Sequence, residues 1–214
     1  MVMQPDERTS ERSMPIVLAV SGASAQQLAE RSLQLLLENQ RHVHLIFSRG
    51  AHEVWNAELG VQVPVDPEAQ ASFWRERLQC DRGVLECHRW NDQAASIASG
   101  SVRTRGMVIV PCSMGSVGRI AAGVATDLLE RVADVHLKEG RPLVLAPREM
   151  PWNLIHLRNL TALAEAGARI APPIPAWYTQ PKTLDDMVDF LVVRLFDGLG
   201  ESLKPIQRWR DTDG

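Results

Sequence analysis

Cysteine is scarce in this 214-residue chain. The three present, Cys80, Cys87 and Cys112, form no CxxC pair and no zinc spacing, which argues against a disulfide framework or a cysteine-built metal centre. A reducing, cytoplasmic compartment is the simplest expectation. Tyrosine is nearly absent: Tyr178 stands alone against six tryptophans. Basic excess is missing too, since a formal net charge of -3 leaves no electrostatic footprint for nucleic acid. No apolar run reaches the length that crosses a bilayer. Met1 to Ser13 is polar and lacks the apolar stretch of a signal peptide, so residues 1–14 read as a frayed N-terminal extension. The dinucleotide fingerprint GxGxxG is absent. There is no internal repeat, low-complexity tract or second domain.

What is present is alternation. Short apolar runs at Pro15–Val20, His42–Phe47, Gly83–Cys87, Gly106–Val110, Leu143–Ala146 and Arg169–Ile170 are separated by helical patterns. Helices are expected from Ser24 to about Asn39, with Ser24 as the cap, and over Arg49–Leu59, Asp127–Leu137, Trp152–Ala166 and Leu184–Leu199. Gln62 to Asp81, carrying Pro64 and Pro67, reads as less regular. This order implies an α/β fold: a single Rossmann-like (flavodoxin-like) domain over residues 15–200 with a doubly wound parallel sheet, followed by a tail over 201–214. Ligands of such sheets bind at the carboxyl ends of strands. The loops to watch are Ser21–Ser24, Ser48-Arg49, Pro111–Ser116 and Pro147–Pro151.

Those loops carry suitable chemistry. Small residues in Ser21-Gly22-Ala23-Ser24 let backbone N–H groups approach a phosphate at a helix N-terminus, and a mononucleotide suits them better than NAD. A plain tight turn with a capping serine is the competing reading. Pro111-Cys112-Ser113-Met114-Gly115-Ser116 offers hydroxyls and N–H groups to a phosphate or a flavin edge, or is simply another turn and cap. Cys112 has no evident base beside it and reads as packing rather than as a nucleophile. Arg148 and Glu149 follow a strand between two prolines, where an arginine can grip phosphate and a carboxylate can pass protons. A surface ion pair among Lys138, Arg148 and Glu149 is the alternative. Arg194 flanks an expected apolar stripe of Leu184, Met187, Val188, Leu191, Leu195 and Leu199, and can turn inward to an anion or snorkel. Trp177-Tyr178 can cover a ligand or belong to a packed surface. His156 has no second histidine at ligand spacing and reads as structural.

Taken in order, Ser21-Gly22-Ala23-Ser24, Ala98-Ser99-Gly100-Ser101, Pro111-Cys112-Ser113, the run Ala133 to Glu139, Arg141-Pro142-Leu143-Val144-Leu145, Pro147-Arg148-Glu149 and Tyr178 with Pro181 resemble the UbiX/Pad flavin prenyltransferases. The likeness runs from about Ile16 to Trp209, and the stretch from Ala133 to Pro151 is its most specific part. The resemblance implies an FMN site on a Rossmann-like subunit of a homo-dodecamer, with active sites at subunit interfaces. It implies metal-independent transfer of a dimethylallyl group from dimethylallyl phosphate to N5 and C6 of reduced FMN. The prenylated FMN would serve a UbiD-type decarboxylase, in many bacteria for ubiquinone biosynthesis. Gly22, Ala23 and Ser24 would hold FMN with Ser48, Ser113, Met114, Gly115, Ser116 and Arg148. Ser24 and Glu58 would handle the proton at N5. Lys138, Glu149, Tyr178 and Arg194 would bind the allylic phosphate, with Arg131 nearby. Trp209, on the tail of a neighbouring subunit, would wall the prenyl pocket. Lys138 and Arg194 would stabilise the departing phosphate, and Tyr178 and Trp209 the allylic cation.

The chain departs from the family pattern at three places. Ala25 replaces the usual glycine and is expected to be an ordinary helical alanine. Gly140 stands where arginine is common, and Trp177 and Thr179 flank Tyr178 in place of the usual residues. Two alternatives remain: an FMN-dependent cysteine decarboxylase, with His52 and His88 as remote candidates for its histidine, and a flavin carrier without chemistry.

Overall fold

Strand and helix alternate along the chain as β1 (Ile16–Val20), α1 (Gln26–Glu38), β2 (His42–Phe47), α2 (Arg49–Leu59), α3 (Pro67–Leu78), β3 (Val84–His88) and β4 (Gly106–Cys112). They continue as α4 (Met114–Ala121), α5 (Leu128–Lys138), β5 (Leu143–Pro147), α6 (Leu154–Glu165), β6 (Arg169–Ile170) and α7 (Leu184–Asp197). This computed structural model describes residues 14–203. The expected extension, apart from residue 14, and the expected tail beyond residue 203, with Trp209, lie outside the described residues.

Every residue of β1, β4 and β5 is buried. Only strands covered on both faces permit an uninterrupted apolar run of that kind. All five strand pairings are parallel and the order is β3-β2-β1-β4-β5-β6, the doubly wound Rossmann arrangement. The winding reverses between β1 and β4, and the crevice at their carboxyl ends is where such a sheet takes a ligand.

Two apolar layers cover the sheet. On one face α1 and α7 join Phe47, Trp55, Trp74 and Phe196 in a single core. Trp55 and Trp74 meet edge to face with ring centroids 5.1 Å apart. Two of the six tryptophans are therefore core residues, and burying side chains of this size contributes about 3 kcal/mol each or somewhat more. On the other face Val117, Leu129, Val132, Leu160 and Leu163 from α4, α5 and α6 pack on Val17, Ile109 and Leu145.

Three local expectations need correction. Residues 62–81, expected to be less regular, contain α3. Asp66 caps it by accepting from Ala69 N at 3.2 Å, and Pro67 occupies the first turn, where its missing N–H costs nothing. Its prolines mark a helix start, and with only Gln70 and Trp74 buried it shows little periodicity. Ser24 does not cap α1. Ala25 does so with φ 80°, a left-handed conformation that costs an alanine roughly 1 kcal/mol, so the usual glycine here has a backbone reason and Ala25 is not an ordinary helical alanine. Finally, the buried face of α7 is Val192, Val193, Leu195 and Phe196, while Leu184 is exposed.

His156 is structural as expected: its ring accepts from Asn153 N while Asn153 Oδ1 accepts from His156 N, a reciprocal cap at the start of α6. After α7, Glu201 is 2% exposed and pairs with Arg41 at 2.7 Å and with Arg105. Arg41 and Arg105 immediately precede β2 and β4, so the last described turn is pinned at the amino end of the sheet.

Candidate functional site

The first loop after β1 is shaped by its backbone. A Cβ on Gly22 would lie 2.8 Å from the carbonyl carbon of Gly50 and 2.9 Å from its Cα. Gly22 therefore lets the loop rest directly on the first turn of α2, and no other residue fits without moving backbone. Gln26, fully buried, donates from Nε2 to Ser21 O at 3.0 Å and Ala23 O at 2.7 Å. It draws those carbonyls towards the protein and braces the loop.

Ser21 joins this loop to the one after β4. Its hydroxyl donates to Pro111 O at 2.9 Å and accepts from Ser113 N at 2.7 Å. Ser113 caps α4, accepting from Ser116 N at 3.2 Å and donating to Ser116 Oγ at 3.1 Å. Ser48 caps α2 in the same way, accepting from Ala51 N at 3.1 Å. Two helix N-termini, with their partial positive charge and free N–H groups, thus open on the crevice beside small hydroxyl side chains.

Arg148 completes the cradle. Its N–H donates to Cys112 O at 3.0 Å, which fixes it beside Ser113. Its guanidinium Nε is buried and has no hydrogen-bond partner among the described residues. A buried cationic donor without a partner is costly unless an anion arrives. A groove of about 940 Å³ opens beside Ala25 and Arg148, floored by Leu28, Met187 and Leu191 from α1 and α7.

One chain therefore unites Gly22, Ala23, Ser24, Ser48, Ser113, Met114, Gly115, Ser116 and Arg148 around the crevice. The other expected residues stand apart. Glu58 is exposed one residue before the end of α2, about 14 Å along the helix from its start. Lys138 ends α5, and its Nζ is 2.7 Å from Glu139 Oε1 against the turn at Gly100. That is the amino end of the sheet, since α5 feeds the start of β5. Arg131 pairs with Asp134 on α5 at 3.1 Å. Glu149 is exposed and accepts from Met150 N at 3.0 Å rather than pairing with Lys138 or Arg148. Tyr178 sits on an exposed turn, edge to face with Phe190 at 5.8 Å. Arg194 does not turn inward: it is 64% exposed and pairs with Asp197 at 2.8 Å, on the rim of a smaller cavity of about 270 Å³ under Ile174.

Cys112 is fully buried, and burial pushes its thiol up to about 12, so it supplies no thiolate. His52 contacts Val63 O at 3.1 Å, and His88 lies on the edge strand, so neither candidate histidine reaches the cradle. Reading the sequence alone missed Gly50, whose Cα is the floor under Gly22, and the brace Gln26. An Asx- or Gln-type contact five residues back leaves no composition signal.

A family model described as Flavoprotein matches residues 4–196. The chain is 52% identical over 199 residues to the flavin prenyltransferase UbiX of Synechocystis sp., covering 92% of this chain and 97% of that one. Its structure resembles AnUbiX (PadA1), solved in complex with FMN and dimethylallyl pyrophosphate, at TM-score 0.79 and 36% identity over 93% of this chain and 100% of that one. It also resembles a dodecameric FMN-dependent UbiX-like decarboxylase from Escherichia coli O157:H7, at TM-score 0.80 and 39% identity over 92% and 100% of the two chains. With identity at that level over nearly the whole chain, this protein belongs to the UbiX family of flavin prenyltransferases.

Proposed function

We propose that the protein transfers a dimethylallyl group from dimethylallyl phosphate to N5 and C6 of reduced FMN. The observation that carries this reading is the buried Arg148 Nε, without a hydrogen-bond partner among the described residues, on a segment whose backbone is tied to Cys112 just before the Ser113 cap, together with a first loop that only glycine permits at position 22. That donor set fits a phosphomonoester such as the FMN phosphate. When bound, FMN supplies the two nucleophilic ring atoms.

The protein's own residues then have three tasks. The phosphate anion that leaves the allyl group must be stabilised, the allylic cation must be shielded from water, and a proton must be removed. Lys138 and Arg194 suit the first task, because both are held by exposed carboxylate pairs that cost little to exchange for phosphate. Tyr178, and Trp209 from the tail, suit the second, since aromatic faces stabilise a cation without trapping it. Glu149 suits the third, acting through the phosphate, with Ser24 and Glu58 serving the N5 proton. Arg131 stands by for the same anion.

One chain holds Lys138 at the opposite end of its sheet from the crevice that carries Ser24 and Arg148, and this supports a homo-oligomer whose neighbouring subunits complete each site. A dodecamer, as in the Escherichia coli relative, satisfies that need. The UbiD-type decarboxylase that uses the product, the ubiquinone-type pathway and the cytoplasmic setting are part of the same proposal. Free thiols at all three cysteines support a reducing compartment. No helix among the described residues is long and apolar enough to cross a membrane.

The test is anaerobic incubation with reduced FMN and dimethylallyl phosphate or pyrophosphate, followed by mass spectrometry of the flavin. A gain of one C5 prenyl unit, lost in Tyr178→Phe or Arg194→Ala, is expected. Unmodified flavin with both donors would favour the carrier or decarboxylase readings. Unchanged turnover in Glu149→Gln would remove Glu149 from the mechanism.

A further inference from the structure

Two strands away from the crevice, the sheet edge carries a second cluster of chemical groups. In β2, His42 and His44 are separated by one residue and so face the same side of the sheet. In the parallel pairing His44 lies opposite Glu86, and His88 follows two residues later on β3, again on that side. The register therefore gathers three imidazoles and a carboxylate on one face of two adjacent strands.

The side chains converge. His42 Nε2 is 2.6 Å from Glu86 Oε1, and His44 Nδ1 is 3.6 Å from Glu86 Oε2. His44 Nδ1 is also 3.0 Å from His88 Nε2. One ligand atom from each of His42, His44 and Glu86 lies within 4.8 Å of the others. A tetrahedral ion bound at about 2.0–2.1 Å holds its ligands roughly 3.3 Å apart, so these separations need only small side-chain rotations. His44 is 6% exposed at its side chain and gives the cluster a fixed inner wall, while Glu86 at 48% leaves an entry path.

We propose that His42, His44 and Glu86 form a binding site for a borderline divalent transition-metal ion such as zinc, with His88 as the fourth donor within reach. Two or three imidazoles with one carboxylate select this class over magnesium or calcium, which need oxygen ligands. The ion would clip edge strand β3, two of whose five residues are exposed, to β2. It would take no part at the flavin crevice, and this inference stands apart from the proposed prenyl transfer.

The experiment uses tag-free, flavin-loaded protein freed of metal with a chelator. Cobalt(II) is titrated while its visible ligand-field bands are followed, and zinc is then added to displace it. One ion per chain with micromolar or tighter affinity is expected, with band intensities of a tetrahedral nitrogen–oxygen site. Zinc at a hundredfold excess over its Kd should raise Tm by roughly 5 °C. Glu86→Gln and His42→Ala, both at partly exposed positions that should tolerate the change, should each weaken binding at least about tenfold while leaving flavin content unchanged. Absence of saturable binding at micromolar metal overturns the proposal, and so does binding that both variants leave intact.

Discussion

The two ends of the parallel sheet are built by different means. At the carboxyl end, the crevice is made of backbone and short side chains that brace one another: Gly22 on Gly50, Ser21 on Pro111 and Ser113, Gln26 on the first loop. At the amino end and along α7, Lys138 and Arg194 are long, exposed and paired with neighbours on their own helices or turns. The proposed phosphate cradle depends on fixed N–H groups, and local geometry within one chain supplies them. In the function proposed above, Lys138 and Arg194 meet the substrate only when a second chain completes the site.

The sharpest way to break this contrast is Gly22→Ala. Its Cβ would meet Gly50 backbone at under 3 Å, so the loop must lift away from α2. Flavin affinity should fall at least about 100-fold, roughly 3 kcal/mol, measured by fluorescence quenching on titration with FMN. Unchanged affinity would show that the loop is not part of the cradle. Lys138→Ala probes the other end: prenyl transfer should fall about 100-fold while bound FMN stays stoichiometric. Loss of both together would erase the distinction between the two ends.

His136 tests how firmly the amino end is held. It is fully buried between Thr104 Oγ1 at 2.8 Å and Val132 O at 2.7 Å, and burial pushes it down to about 4. Its neutral form is the folded form, so its contribution is intact above the ordinary histidine pKa near 6.5 and is lost as pH falls towards 4. Denaturant unfolding between pH 7 and pH 4 should show a loss of about 3 kcal/mol from this group. An equal loss in His136→Gln would assign the pH dependence elsewhere. The smallest effect is expected from Ala25→Gly, which relieves a left-handed alanine and should stabilise the protein by about 1 kcal/mol. A lower Tm in this variant would mean that the Ala25 methyl contributes more by packing than the strain costs.

Much of the fold is legible in the chain itself. β1, β2, β4 and β5 announce themselves as short apolar runs because both faces of a parallel strand are buried. The helix at Pro67 is hidden because it buries only Gln70 and Trp74 and so shows little periodicity, and Arg194 is misplaced because the stripe through Leu184 and Met187 faces an open groove rather than the core. The His42–His44 alternation could have been read as a shared face, but nothing in the sequence near it points to Glu86.

By itself the sequence determined the strand–helix alternation, the loops at the strand ends, and the motif set that places the chain in its family. Each of these depends on neighbours within a few residues, which spacing reports directly. The tertiary structure alone decided that Gly22 rests on Gly50, that Arg148 is left with a buried nitrogen unpartnered among the described residues, and that Lys138 stands at the opposite end of the sheet from the crevice. Those facts depend on the winding order of the strands, which brings residues distant in sequence together and sends residues close in sequence to opposite ends.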